Sequence, residues 1–135
     1  MNGLDEARRL LDMAQKDFLA LKSMTNAELF VEEIFGFHAQ QSIEKALKAW
    51  LTLIPCEYPR THDLSLLLYL LEEKGETPAP FLDLLEFTAF AVQFRYEAYD
   101  SEDEPLDRPA VLRHIAELIQ HVEKLLNRNR QERNP

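Results

Sequence analysis

Apolar residues recur at alternating steps of three and four along nearly the whole chain, the spacing that gathers side chains onto one face of an α-helix. Leu4, Ala7, Leu11, Ala14, Phe18 and Leu21 set the first such row. Asp5 and Glu6 stand near its start, where the helix dipole favours negative charge. The spacing predicts a helix over about residues 4–21, with a turn at Lys22, Ser23, Met24, Thr25 and Asn26. A second and longer helix is predicted over about residues 27–54. Phe35, Ala39, Ile43, Ala46, Trp50 and Leu53 trace its apolar stripe, which Leu47, Leu51 and Ile54 widen. Gly36 lies inside it at a cost of about 1 kcal/mol relative to alanine, and so predicts a bend or a close helix crossing. Pro55 and Pro59 bracket the loop that follows.

Residues 64–73 form a leucine-rich run in which periodicity alone does not separate helix from strand. Leucine favours helix. Thr61 or Asp63 is placed to cap its start and Gly75 to end it. A fourth helix is expected to open near Pro80. It carries one row at Leu84, Phe87, Ala91, Phe94 and Ala98, and another at Phe81, Leu85, Thr88 and Val92 that continues into Arg95 and Tyr99. Two rows imply neighbours on two sides, so this helix is central or at a dimer seam. An acidic loop from Asp100 to Asp107 leads to a last helix near Pro109, patterned by Val111, Ile115, Leu118, Val122 and Leu125. The polar stretch 127–135, with Arg128, Arg130 and Arg133, is expected to fray. The fold class expected is all-α: an antiparallel up-down bundle of four long helices plus one short helix, as a single domain over residues 1–135.

Composition narrows the function. Three glycines are too few for a many-stranded fold built on tight hairpins. One cysteine, Cys56, excludes an internal disulfide and an all-cysteine metal cage, and fits a reducing compartment. It has no evident activating partner. No apolar run approaches the roughly 20 residues that span a bilayer, and MNGLDEARRL lacks the apolar core of a secretory signal. The expected location is the cytoplasm. A net charge of −9 argues against indiscriminate duplex binding.

Few residues invite chemistry. Arg95 falls within the apolar arc of its helix, where a guanidinium needs a partner. That partner is either Glu44 or an acid of the following loop, or else a bound phosphate. Tyr96 and Tyr99 flank it, as packing residues or as groups that stack on a base. His38, Gln41, Lys45 and Lys48 form a polar stripe on the second helix. The stripe is either a ligand track or a solvated face, with Glu44 and Lys48 as an i,i+4 pair. His114 and His121 are seven residues apart, and neither an H-E-x-x-H nor a Glu-x-x-His pair is present, so no metal site is expected.

The run Phe37-His38-Ala39-Gln40-Gln41-Ser42-Ile43-Glu44-Lys45-Ala46-Leu47-Lys48-Ala49 resembles the second-helix signature of HEPN domains. Thr61-His62-Asp63-Leu64 resembles the start of that family's third helix, and Phe94-Arg95-Tyr96 the arginine-bearing end of its fourth. The resemblance implies a helical bundle that forms homodimers and pairs with a separately encoded minimal nucleotidyltransferase in toxin–antitoxin-like systems. It implies no cofactor. Many members are metal-independent RNases whose motif is Arg, four to six residues, then His. On that pattern Arg95, with Tyr96 and Tyr99, would serve an endoribonuclease toxin. His38, Gln41, Lys45, Lys48 and Arg95 would bind nucleotide, RNA or the partner. The chain departs from the pattern: positions 100 to 102 are Asp100, Ser101 and Glu102. The reading favoured is therefore a non-catalytic or weakly catalytic partner of a nucleotidyltransferase, with a ribonuclease using Arg95 as the alternative.

Overall fold

The structure is a computed structural model that describes residues 3–91 and 105–133. Helix α1, Gly3–Lys22, buries Ala7, Leu10, Leu11, Ala14 and Leu21, the face the spacing predicts. Helix α2, Glu32–Leu53, starts five residues later than expected. The cause is Asn26. Its carbonyl accepts from the N–H groups of Leu29 and Phe30, and its side chain accepts from the Glu28 N–H. This turn uses up the residues that would otherwise extend the helix.

Helix α3, Leu64–Glu73, is closed at both ends by the residues expected. Asp63 Oδ1 accepts from Ser65 N at 3.0 Å, and Thr61 Oγ1 from Asp63 N at 3.0 Å. At the far end Gly75 adopts φ 83°, left-handed and natural to glycine. The Gly75 N–H then reaches Glu72 O and the Glu76 N–H reaches Leu71 O, each at 3.0 Å, which is a Schellman closure.

The fourth segment corrects the expectation of an α-helix from Pro80. Residues Ala79–Phe87 are a 3-10 helix, and the α-helical form begins only at residue 88. The apolar pattern explains this. Phe81, Leu84, Phe87 and Phe90 repeat at three, the period of a 3-10 helix, and all four are buried. Thr88 Oγ1 then accepts from the Leu64 N–H at 3.1 Å, tying this segment to the start of α3.

The last helix, α4, is Arg108–Arg133, and Asp107 caps it through Ala110 N. The helix extends through most of the polar stretch 127–135, as far as Arg133. Asn129 contributes to this, donating to Leu53 O at 3.4 Å. Helix directions follow from paired contacts. Gly3 of α1 lies beside Thr52 O of α2 and Ser42 donates to Ala14 O, while Arg8 meets Glu123 and Arg108 meets Met24 O. Arg108 also lies over Phe35, at the α2 end opposite the Leu53–Asn129 contact. Helices α2 and α4 therefore run the same way and α1 runs against both, as in an up-down bundle. The described residues are all-helical around one core cluster, without strands.

Gly36 marks a close crossing. A Cβ there would clash with ring carbons of Phe90, which stacks on Phe87 with centroids 5.6 Å apart. Gly36→Ala is expected to cost about 1–3 kcal/mol through overpacking, despite alanine's better helix propensity. On a Phe90→Ala background the same change should be neutral or stabilising. Thermal melting of the four proteins checks this; an equal cost on both backgrounds would remove the contact as the cause.

Candidate functional site

The polar centre of the bundle is Glu44, only 4% exposed on a helix whose neighbouring Ile43, Ala46 and Leu47 are also buried. A lone carboxylate would not be stable there. Three donors converge on it. Gln40 and Lys48 stand one turn away on either side along α2, and their nitrogens lie 2.7 and 2.9 Å from the carboxylate. His62, from the loop before α3, brings Nδ1 to 2.8 Å. Gln40 also reaches the His62 carbonyl at 3.3 Å, and Gln41 donates to Gln40 Oε1 at 2.8 Å. Burial pushes the Glu44 carboxyl up, but the hydrogen bonds from His62, Lys48 and Gln40 outweigh it and hold the carboxyl below its ordinary range. The Lys48 ammonium also sits 5.8 Å from the centroid of the Tyr58 ring.

A second cluster forms where α1 meets α2. Asp17 pairs with Lys45 at 2.8 Å. His38 Nδ1 stands 3.6 Å from Asp17 Oδ1, too long for a hydrogen bond, and has no hydrogen-bond partner among the described residues. The stripe read from sequence thus divides in two. Gln41 and Lys48 belong to the Glu44 network, and His38 and Lys45 to the Asp17 cluster. Lys48 and Glu44 do form the i,i+4 pair, but at a buried carboxylate rather than on a solvated face. Arg95, Tyr96 and Tyr99 lie outside the described residues, as do positions 100 to 102. The described partners of Glu44 are Gln40, Lys48 and His62.

Three features were not anticipated. Glu44 is a hub, a role signalled only by the Gln40–Glu44–Lys48 register. Arg108 is buried at the start of α4, with Nη1 2.7 Å from Met24 O and its guanidinium 4.9 Å from the Phe35 ring centroid. Trp50 joins α2 to three other parts of the chain. Its indole N–H donates to Glu76 at 2.8 Å, and its ring meets Phe81 and, at 4.5 Å between centroids, His121 of α4. Burial lowers the His121 pKa; Glu76 opposes that shift, while Arg128 and Lys124 add to it.

No helix of the described residues is long and apolar enough to cross a membrane. What the geometry defines is an all-helical bundle whose buried polar centre joins the second helix to the loop before the third. A family model for the HEPN domain matches residues 7–131, and the chain belongs to that family. No curated protein and no solved structure matches the chain in the same comparisons.

Proposed function

We propose that this HEPN-domain protein is the non-cleaving or weakly cleaving partner of a minimal nucleotidyltransferase in a toxin–antitoxin-like pair. The observation that carries the reading is the family match joined to Asp100, Ser101 and Glu102 at the positions where a histidine would complete the ribonuclease motif after Arg95. Carboxylates near neutral pH do not replace an imidazole as a proton carrier. Four acids at positions 100, 102, 103 and 104 also disfavour an incoming phosphodiester. Two lysines of the α2 stripe are committed internally, Lys45 to Asp17 and Lys48 to Glu44, which favours a protein partner over a free nucleotide.

One observation favours the alternative of a metal-independent endoribonuclease. His62 is a partly exposed imidazole whose Nδ1 is fixed by a carboxylate, the arrangement that orients a general base. One pair of experiments separates the readings. Coexpression with the nucleotidyltransferase of a neighbouring gene, followed by size-exclusion chromatography, is expected to give a co-eluting complex. RNA incubated with the chain in EDTA is expected to stay intact. Cleavage that disappears in both Arg95→Ala and His62→Ala would establish the ribonuclease instead.

A further inference from the structure

The tip between α1 and α2 presents apolar side chains to solvent. Leu29 is 74% exposed and Val31 54% exposed, after a turn in which Asn26 accepts from the Glu28, Leu29 and Phe30 N–H groups. Val31 is also the N-cap of α2 and makes no side-chain capping bond. Serine, asparagine or aspartate would serve the isolated fold better there. Residue choice at this tip therefore works against the free chain in two ways. Beside it opens a notch of about 310 Å³ lined by Ala27, Val31, Glu32, Glu33, Pro105 and Arg108. Its cation offers little to the surface, because Arg108 is buried against Met24 O and the Phe35 ring. Glu28 and Glu33 flank the apolar pair, and Glu32 is anchored to the Leu106 N–H at 2.7 Å.

We infer that this tip is a docking surface for a partner protein that presents an apolar side chain flanked by lysine or arginine. Charge decides between occupants. A second copy packed about a twofold axis would set Glu28, Glu32 and Glu33 against their own counterparts. A basic partner meets the same acids favourably, while its apolar residue covers Leu29 and Val31. The inference rests on the proposed function only in identifying the nucleotidyltransferase as the protein to try first.

Two probes test it. With the neighbouring-gene nucleotidyltransferase, titration calorimetry should show affinity falling at least tenfold in Leu29→Ser/Val31→Ser and in Glu28→Lys/Glu33→Lys. Leu82→Ser, which removes another exposed leucine, should bind as wild type. Equal binding by all four proteins would leave the pairing standing and overturn the surface. The second probe is an amphipathic lysine–leucine peptide, which needs no nucleotidyltransferase. It should move the Leu29 and Val31 methyl resonances and not those of Leu82, with the effect lost on charge reversal. Unmoved methyls would overturn the surface even if the first pairing fails. So would a dimer of the wild-type chain alone that Leu29→Ser/Val31→Ser dissolves.

Discussion

Replacing Glu44 by alanine is expected to destabilise the protein by about 3 kcal/mol, since removing one partner of a buried pair leaves the others uncompensated. For a chain of this size that lowers the melting temperature by about 10 °C. The loss is moderated because Lys48 and His62 keep some access to water. Glu44→Gln retains the shape and one acceptor and should cost less. The pH dependence identifies the charge as the cause. The folded carboxyl titrates below its ordinary value of about 4.3. Its stabilisation is therefore fully present above that value and is lost as pH falls through the lower, folded pKa. The gap between wild type and Glu44→Gln, followed by urea unfolding, should close as the pH falls through the folded carboxyl's lowered pKa. A gap that survives unchanged through the acid range would mean that the network depends on shape alone.

Trp50→Ala is expected to cost about 3–5 kcal/mol, the range for emptying a large buried aromatic site. Few side chains here touch as many elements: α2 carries it, the cap of α3 accepts its N–H, and the 3-10 helix and α4 supply Phe81 and His121. Trp50→Phe keeps the ring but loses the bond to Glu76. It should cost about 1 kcal/mol beyond the packing change, because half-buried Glu76 can turn to water. Chemical denaturation of the three proteins checks both values. A Trp50→Phe variant as unstable as Trp50→Ala would show that the hydrogen bond, not the packing, holds the joint.

The helices and their buried faces were legible because periodicity is a local property of the chain. Leu11, Ala14, Ile43 and Leu118 are buried where their spacing places them. The caps at Asp63 and Gly75 were legible for the same reason. The 3-10 segment was written in the sequence too, as Phe81, Leu84 and Phe87, but a reading tuned to steps of three and four divided those residues between two rows. Asn26 was placed in a turn, yet the hydrogen bonds that delay α2 depend on its side chain. The site was less legible, because its partners are distant in sequence. Glu44 and His62 are eighteen residues apart and Asp17 and Lys45 twenty-eight, and no periodicity connects such pairs. The motif residues Gln40, Glu44 and His62 were each visible, but that one carboxylate gathers them is a property of the packed structure.

Trp50 is the chain's one tryptophan, so its emission spectrum comes from a single indole at the junction of α2 with α3's cap, the 3-10 helix and α4. An imidazole within van der Waals reach of that indole acts as a built-in quencher once it takes up a proton. Light from this one residue therefore reports two events at once: separation of the last helix from the second, as a red shift, and titration of His121, as dimming without a shift.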